Sequence, residues 1–453
     1  MPVIGQPAHD RAVRAVQRDM RALPAGRIRL AKPTSNLFRA HNRTGAGLDV
    51  SGLTDVISID ARTRTADVQG MCTYETLVAA TLPHGLMPLV VPQLKTITLG
   101  GAVTGLGIES SSLFNGLPHE SVLELDVLTG DGEVVTASAS ENAELFAAFP
   151  NSYGSLGYAL RLRIALQPTA PFVELRHVRF DELDTLASAI ETIADKSEWD
   201  GEAVDFVDGV MFSPGESYLT LAAWTDSTAK SGEPSDYTGQ QIFYRSIQQR
   251  ERDCLTAADY IWRWDTDWFW CSAAFGAQRP AVRRLWPRRL RRSDVYHRLI
   301  GLETRYDIVG RIDRRRGAAP RERVVQDIEV PLGRTAEFLH WFDQEVGMTP
   351  VWLCPLRSQR NWPLYPLEPG HIYVNVGFWG TVAIADGARD GDVNRRIEAK
   401  VAELGGHKSL YSDAYYDRAT FDALYGGAAY ASAKARYDPA GRLPGMYEKV
   451  VVR

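Results

Sequence analysis

One stretch, TITLGGAVTGLGIESSSLFNG at 96–116, limits what this chain can fold into more than any other part of it. Five of its 21 residues are glycine and six are serine or threonine, so most of it is too small or too polar to fill a core. Glycine lets another group approach the main chain, and it allows positive φ, so that successive N–H groups can turn toward one anion. We therefore expect either a phosphate-binding loop or a bulged, glycine-rich surface loop.

The glycine spacing differs from that of the two best-known nucleotide loops. It is not the GxGxxG of a dinucleotide-binding βαβ unit, and no GK[ST] follows as in a Walker loop. Two further small, polar turns occur at 32–38 (KPTSNLF) and 152–157 (SYGSLG), each next to a strand pattern. Three such turns around β-hairpins are suited to surround one extended dinucleotide.

Hydrophobic periodicity predicts a mixture of helices and strands. Apolar residues recur at helical spacing over 7–23, and a second helix over 73–85 ends at a glycine. Alternating patterns predict hairpins over 56–70 and 119–138, the latter turning at Gly-Asp-Gly. A further strand follows SYGSLG, and the character of the sequence changes near 168–172.

Length and composition indicate a globular protein of at least two domains. The chain has 453 residues, whereas single cores stop growing at roughly 250–300 residues. A net charge of −5 argues against a general nucleic-acid binder. The four cysteines show neither a CxxC pair nor metal-ligand spacing, so we expect reduced thiols and no metal. No signal-peptide pattern or spanning apolar run is visible, which predicts a cytoplasmic protein.

The order of these turns resembles the FAD-binding domain of the vanillyl-alcohol-oxidase (PCMH-type) superfamily. Within it, MPLVVPQLKTITLGGAVTGLGIESSS and SENAELFAAFPNSYGSLGYALRLRIALQP are similar to the flavin loop and its continuation in the Δ24-sterol reductase (seladin-like) family. Four later segments are similar as well, so that the resemblance covers roughly residues 27–450: RVVQDIEVPL, PVWLCPL, IYVNVGFWG and LYSDAYYDRATFDALYGG.

The resemblance implies an α+β fold with a PCMH-type FAD-binding domain of two subdomains and a mixed α/β cap. We expect the FAD-binding domain at 1–170 and the cap, or substrate, domain at 171–400. Residues 401–453 are expected to return to the FAD-binding domain and complete the active site.

The resemblance also implies FAD contacts. Many oxidases of the superfamily tether flavin through a histidine in the first loop, but His41 comes several residues too late, so we expect non-covalent FAD. The predicted contacts are Pro33, Thr34, Ser35, Asn36 and Leu37 in the first loop, Gly100, Gly101, Thr104, Gly105, Gly107, Ser110 and Ser111 in the second, and Gly154 and Gly157 in the third.

The implied activity is NADPH-dependent reduction of an isolated C=C bond in a lipid. The chain shows no counterpart of the eukaryotic sterol reductases' N-terminal membrane anchor, as in bacterial members thought to convert 10-methylene into 10-methyl acyl chains of phospholipids. That substrate is expected here, with a methyltransferase as partner; a Δ24-type sterol is the alternative. Three other readings stay open: an FAD-dependent oxidase or dehydrogenase, a redox-neutral transferase, and a lipid-binding protein without activity.

The proposed chemistry needs an acid, because an unconjugated alkene offers a hydride no electron-poor carbon. Protonation first, giving a tertiary cation near aromatic faces, is the plausible order. In HKSLYSDAYYD, Tyr411, Asp413 and Tyr415 alternate and are predicted to share one face of an extended segment. The alternative is that they are half-buried structural residues. Weaker acid candidates are His407, Glu109 and His371.

Residues 262–292 combine tryptophan with arginine. Aromatic rings favour the headgroup level of a membrane and arginine favours anionic lipid, which predicts a peripheral contact, on the inner face of the cell membrane. The alternative is that the tryptophans are cap core and the arginines pair with Asp265, Asp267 and Asp294. The residues concerned are Trp262, Trp264, Trp268, Trp270, Arg283, Arg284, Arg288, Arg289, Arg291 and Arg292.

Overall fold

The computed structural model describes residues 3–32, 38–39, 45–228, 232–306 and 319–451. Within these ranges the fold is α+β, as predicted, and its two large sheets are antiparallel. The strands are β1 (Ile28–Ala31), β2 (Ala46–Asp49), β3 (Val56–Asp60), β4 (Thr65–Gln69), β5 (Leu86–Pro88), β6 (Val122–Leu128), β7 (Val134–Ser138), β8 (Tyr158–Pro168), β9 (Phe172–Phe180), β10 (Glu198–Trp199), β11 (Glu202–Ala203), β12 (Phe206–Ser213), β13 (Glu216–Thr225), β14 (Arg252–Thr256), β15 (Arg321–Pro331), β16 (Val351–Arg357), β17 (Ile372–Ala383) and β18 (His407–Lys408).

Helices cover both sheets and link them. Short 3₁₀ turns add Leu82–His84, Pro118–Ser121, Cys271–Phe275 and Arg288–Leu290. The α-helices are α1 (Gln6–Ala22), α2 (Tyr74–Thr81), α3 (Leu99–Gly105), α4 (Ser112–Asn115), α5 (Ala143–Ala148), α6 (Leu183–Lys196), α7 (Phe243–Ser246), α8 (Ala257–Ile261), α9 (Pro280–Leu285), α10 (Ser293–Tyr306), α11 (Leu332–Glu345), α12 (Asp392–Glu403), α13 (Arg418–Leu424), α14 (Gly427–Tyr437) and α15 (Met446–Val450).

The first sheet has the order β3-β4-β8-β6-β7, with β5 paired to β8. Both predicted hairpins, β3–β4 and β6–β7, are present in it. Arg161 on the central strand β8 joins three strands, because its guanidinium contacts Asp67 at 2.8 Å, Asp126 at 2.6 Å and Glu124 at 2.5 Å. A charged side chain is tolerated there since several carboxylates surround it.

The second sheet has the order β14-β9-β13-β12-β16-β17-β15-β18. Its residues alternate between two faces, as strand geometry requires. On β15, Val324, Ile328 and Val330 are fully buried in the core that α6, α11 and α12 form. Asp327 and Glu329 alternate with these residues and so face the other side, toward the first sheet's domain. Strand periodicity thus brings two carboxyl groups to the interior of the molecule.

The C-terminal segment packs back on the first sheet's domain. Ile28 N–H donates to the Arg442 carbonyl at 2.8 Å, and Gly130 N–H donates to the Tyr437 carbonyl at 3.0 Å. Lys434 Nζ donates to the Ser155 carbonyl at 2.7 Å. The domain boundaries at 170 and 400 remain predictions; the sheets themselves change over between Pro168 and Phe172.

Candidate functional site

The glycine-rich stretch is partly helical, whereas the sequence predicted a loop. Thr98 begins helix α3 by accepting a hydrogen bond from Gly101 N–H at 3.2 Å. A Cβ added at Gly100 would lie 2.6 Å from the Gly70 carbonyl oxygen, which accepts Gly100 N–H at 2.9 Å. Another part of the protein therefore comes close enough to exclude a side chain at Gly100.

The predicted hydroxyl contacts of this stretch bond to protein atoms. Thr104 donates to the Gly100 carbonyl at 2.7 Å, and Ser111 donates to the Leu89 carbonyl at 2.9 Å. Ser110 is buried and lies 2.9 Å from the Tyr260 hydroxyl. The contact of Ser110 with Tyr260 fastens the stretch to the cap, and a direct contact of the three hydroxyls with a ligand remains a prediction.

Tyr153 joins the second and third turns. Its hydroxyl donates to the Gly105 carbonyl at 2.9 Å, and its N–H donates to the Thr104 carbonyl at 2.8 Å. The turn around it needs glycine, because Gly154 has φ +69° and a Cβ at Gly157 would lie 2.3 Å from a Val127 methyl group. The structure therefore brings together the stretch at 96–116 and the turn at 152–157.

Two cations meet at the same tyrosine. The Arg39 guanidinium lies 5.1 Å from the centre of the Tyr153 ring, and Lys449 Nζ donates to the Tyr153 carbonyl at 2.8 Å. Burial lowers the pKa of Arg39 to about 10. Burial and the charges of Arg39, Lys434 and Lys32 lower the pKa of Lys449 to about 7. Positive charges held together in this way favour an anion as their counterpart.

The first predicted loop, Pro33–Leu37, and His41 lie outside the described residues. Arg39 is the second residue after this loop, and it is a described residue that lies against Tyr153. Sequence reasoning missed both Arg39 and Lys449. Arg39 could have been identified from the sequence, since it lies next to a predicted phosphate loop. Lys449 could not, because it comes from the other end of the chain and belongs to no local motif.

The segment at 411–416 alternates as a strand does: Tyr411, Asp413 and Tyr415 are partly exposed and the residues between them are buried. Each of the three has its own partner. Asp413 forms an ion pair with Arg323, and the Tyr415 ring lies 4.8 Å from the Arg395 guanidinium. Their catalytic roles remain predictions, and the acid beside Tyr411 is a different residue.

That acid is Asp327. Its carboxyl group interacts with the Tyr411 hydroxyl, which lowers the pKa of Asp327 and raises that of Tyr411, and it accepts a hydrogen bond from Asn375 Nδ2 at 3.3 Å. Burial raises the pKa of Asp327 to about 7. Tyr411 also accepts a hydrogen bond from Trp379 Nε1 at 2.9 Å. An indole N–H, a phenol and a carboxyl group thus lie next to one another, with Tyr411 between the other two.

The strand pair β15–β17 makes room for this chain of groups. Asp327 stands opposite Gly377, and a Cβ at Gly377 would lie 2.4 Å from Asp327 Oδ1 and 2.8 Å from the Trp379 ring. Glu329, two residues along, is fully buried and accepts from Ser409 Oγ at 3.1 Å and from the Tyr365 hydroxyl. Burial, followed by the charge of Asp327, raises the pKa of Glu329.

Aromatic rings surround Tyr411. Phe38 lies 6.1 Å from it, edge to face, and stacks on Trp268 at 5.4 Å. His297 lies 5.5 Å from Phe38. Phe38 N–H also donates to the Tyr411 carbonyl at 2.9 Å, which ties the end of the first loop to this site. We call Phe38, Trp268, His297, Trp379 and Tyr411 the aromatic cluster.

The weaker acid candidates have other surroundings. Glu109 is buried and accepts from the Arg263 guanidinium at 3.3 Å. His407 packs against Tyr365, and burial lowers its pKa to about 4. His371 is exposed and lies 3.2 Å from Glu368. None of these three contacts the aromatic cluster through a ring contact or hydrogen bond that the structure shows.

Much of the Trp/Arg region is interior. Trp264 and Trp268 are buried, and Trp264 Nε1 donates to Asp208 at 2.8 Å. Arg283 is buried against Asp267 at 2.6 Å, and Arg291 is buried as well. Trp264, Trp268 and Arg283 therefore match the alternative that the sequence left open, whereas Arg291 is buried against main-chain carbonyls and not against an acid. Only the exposed residues of the region are available to a membrane.

The described ranges hold no cluster of three potential metal ligands and no helix long and apolar enough to span a bilayer.

Residues 3–138 match a family described as an FAD binding domain. The Δ24-sterol reductase of Macaca fascicularis is 25% identical over 418 residues, 88% of this chain and 76% of that protein. Its homologue in Caenorhabditis elegans is 24% identical over 439 residues, 91% of this chain and 80% of that protein. Cytokinin dehydrogenase 7 of Oryza sativa subsp. japonica is 32% identical over 143 residues, 32% of this chain and 27% of that protein.

Proposed function

Because the chain belongs to the Δ24-sterol-reductase-like FAD-dependent oxidoreductases, we propose that it reduces an isolated C=C bond of a lipid with NADPH. The favoured substrate is a methylene-branched acyl chain of a phospholipid, converted from 10-methylene to 10-methyl. The names of the relatives support a Δ24-type sterol alkene as the second candidate. Asp327, bonded to Tyr411 inside the aromatic cluster, is the observation that carries the proposal.

The residues around Tyr153 fit the pyrophosphate of FAD. Arg39 Nε is buried and has no hydrogen-bond partner within the described part of the chain, so a ligand oxygen is a suitable acceptor. Arg39 and Lys449 would hold the phosphates, together with the predicted main-chain contacts at Gly105 and Gly154. Bound without a covalent link, FAD would supply the hydride for this reaction, and NADPH would be the source of that hydride.

The proton is the difficult part of the reaction, because an isolated alkene is a weak base. A carboxyl group whose pKa is near 7 is substantially protonated at neutral pH, and yet it gives up its proton readily. We assign the role of this carboxyl group, the source of the proton, to Asp327. The Tyr411 O–H bond breaks toward the terminal CH₂ carbon while the Asp327 proton passes to the Tyr411 oxygen. Trp379 Nε1–H stabilises the negative charge that develops on this oxygen.

The aromatic cluster suits the substrate carbon that becomes positively charged. Protonation of the CH₂ terminus leaves positive charge on the tertiary carbon, which then accepts the hydride. The faces of Trp379, Phe38 and Trp268 offer quadrupoles that attract a cation without reacting with it. They also exclude water, which would otherwise capture the cation as an alcohol.

A precursor of this kind requires a reaction that adds one carbon to an unsaturated acyl chain. A methyltransferase is therefore the proposed functional partner. The same site would accept a sterol side chain, whose alkene also gives a tertiary cation. The length and shape of the lipid, rather than the acid, would distinguish the two substrates.

Two variants test the proton path, Tyr411→Phe and Asp327→Asn. We expect each to slow single-turnover reduction of a 10-methylene phospholipid by about 100-fold or more, the usual loss for a general acid. Anaerobic bleaching of the flavin by NADPH should keep its rate, since neither residue takes part in that step. Tyr218→Phe is a matched control, because its hydroxyl bonds Glu216 at 3.2 Å on the cap sheet.

Unchanged turnover in both variants would remove Asp327 and Tyr411 from the mechanism. Failure of the wild-type protein to consume either alkene, combined with bleaching of the flavin by an alcohol or an amine, would favour a dehydrogenase instead. Turnover without any pyridine nucleotide would favour the transferase.

A further inference from the structure

Two of the four large hydrophobic side chains that are exposed in the described part of the chain lie within six residues of each other. Leu285 is 85% exposed and Leu290 is 39% exposed; the others, Val3 and Leu123, are scattered. An apolar side chain left almost entirely in water usually marks a contact surface when others stand beside it.

Along the chain, the charged residues next to these leucines are all arginines. Arg284, Arg288 and Arg289 are exposed, and Arg288 alone of the three shows an ion pair, with Asp236 at 2.9 Å. The sequence has no acidic residue between Asp267 and Asp294. Positive charge next to exposed leucine is typical of a surface that binds anionic lipid, because the arginines attract the headgroups while the leucine contacts the acyl chains.

Buried arginines hold this surface in place. Arg283 bonds Asp267 and donates to the Gly239 carbonyl at 2.8 Å. Arg291 donates to the same carbonyl at 2.7 Å and to the Trp286 carbonyl at 2.9 Å. The exposed residues are thus presented from a segment whose backbone is fixed at both ends, so Leu285 does not simply belong to a mobile loop.

The surface adjoins the proposed active site. Trp286 packs on Tyr296 of α10 with ring centres 6.0 Å apart. The next residue, His297, belongs to the aromatic cluster through its contact with Phe38. A lipid held at this surface would therefore be separated from the aromatic cluster only by Trp286 and helix α10.

We propose that residues 279–290 form a docking surface for an anionic lipid bilayer, with Leu285 inserted among the headgroups. This proposal rests on the proposed function and adds to it the source of the lipid substrate. Its test uses binding and no turnover, so the two proposals can fail separately.

The experiment is cosedimentation of the full-length, flavin-loaded protein with vesicles of phosphatidylcholine containing 30% phosphatidylglycerol, taken as about one-third anionic lipid. We expect binding that weakens with salt and is lost on pure phosphatidylcholine. Arg284→Ser/Arg289→Ser should weaken partitioning about 25-fold, at about fivefold for each arginine. Leu285→Ser should weaken it at both low and high salt.

Matched variants separate this surface from general effects of charge and hydrophobicity. Arg11→Ser/Arg14→Ser removes the same charge from the exposed face of α1, and Leu123→Ser removes the exposed leucine of β6. Both should bind vesicles as the wild type does. Near-UV circular dichroism of every variant checks that the fold is kept.

Equal losses in the 284/289 and 11/14 variants would overturn the proposal, since binding would then follow net charge alone. Absence of wild-type binding to the anionic vesicles would overturn it too. Binding to soluble polyglutamate instead, with the same dependence on Arg284 and Arg289, would assign the surface to an acidic protein and not to a membrane.

Discussion

Replacement of Lys449 by methionine is expected to change stability and FAD affinity in opposite directions. In the FAD-free protein, the pKa of Lys449 falls from 10.5 to about 7, because burial and three neighbouring cations oppose its charge. At 1.36 kcal/mol per pKa unit, keeping the ammonium charged costs up to about 5 kcal/mol. Partial exposure and the lost bond to Tyr153 reduce the gain from methionine, so we expect Lys449→Met to stabilise by about 2–3 kcal/mol at pH 7.

The pH dependence of this gain has a definite sign. The unfolded chain keeps the ammonium charged up to its ordinary pKa near 10.5, whereas the folded FAD-free protein loses the proton near pH 7. The destabilising charge is fully present below pH 7 and disappears as the pH rises from 7 to 10.5. The advantage of Lys449→Met, measured by urea unfolding of flavin-stripped protein, should therefore shrink over that range.

FAD affinity should move the other way. A pyrophosphate held by Lys449 loses one charge-assisted hydrogen bond in the variant, about 1.5–3 kcal/mol, or 10- to 100-fold in Kd. Flavin fluorescence at pH 6.5 gives this Kd directly. Wild-type affinity should also fall as the pH rises above 7, because the FAD-free protein then carries a neutral Lys449 that must take up a proton on binding.

Lys434→Met is the matched control for this argument. The Lys434 ammonium contacts Asp438 at 2.5 Å and the carbonyl oxygens of Ser155 and Leu443, each at 2.7 Å. Its loss should destabilise the FAD-free protein. If Lys449→Met were destabilising as well and left FAD affinity unchanged, Lys449 would be a structural residue, and the assignment of this cation pair to a phosphate would be refuted.

Two further predictions concern the strands around the acid, and a third concerns helix α11 in the core on the other face of the cap sheet. Asp327→Asn removes a carboxyl group that resists ionisation in the fold, so the variant's free energy of unfolding relative to wild type should rise by about 2–3 kcal/mol between pH 5 and pH 8 in urea titrations. Gly377→Ala places a Cβ 2.4 Å from Asp327 Oδ1 and should cost about 1–3 kcal/mol in thermal unfolding, together with loss of alkene reduction. Phe338→Ala, in the fully buried core under the cap sheet, should cost about 3–5 kcal/mol while the Kd for FAD is unchanged, as measured by flavin fluorescence.

The parts of the fold that the sequence predicted are those set by local pattern. The β3–β4 and β6–β7 hairpins follow from period-two alternation and short turns, and α2 is followed by Gly85, whose φ of +67° suits glycine. Helix α3 was missed because glycine has low helix propensity; contact with Gly70, a tertiary interaction, overrides that preference.

In the candidate site, too, local pattern predicted some features and tertiary contacts decided the others. The alternation at 411–416 could be read from the sequence, yet the acid beside Tyr411 could not, since the pairing of β15 with β18 and the hydrogen bond from Ser409 N–H to the Asp327 carbonyl at 3.0 Å bring the two residues together. Asp327 and Tyr411 are 84 residues apart along the chain, so no local spacing marks the pair. Lys449 reaches Tyr153 across 296 residues, so its place at the second turn has no signature in either segment.

Asp327 and Tyr411 are proposed to provide the proton for reduction of an isolated lipid alkene. The most direct measurement is one anaerobic turnover of a 10-methylene phospholipid by the NADPH-reduced protein in D₂O, with mass spectrometry of the product. We predict a 10-methyl chain that carries solvent deuterium on the new methyl group, formed much more slowly by Asp327→Asn; exchange of the reduced flavin N5–H with solvent can add deuterium at the branch carbon as well. A saturated product whose new methyl group carries no solvent deuterium, or no saturated product at all, would contradict the proposal.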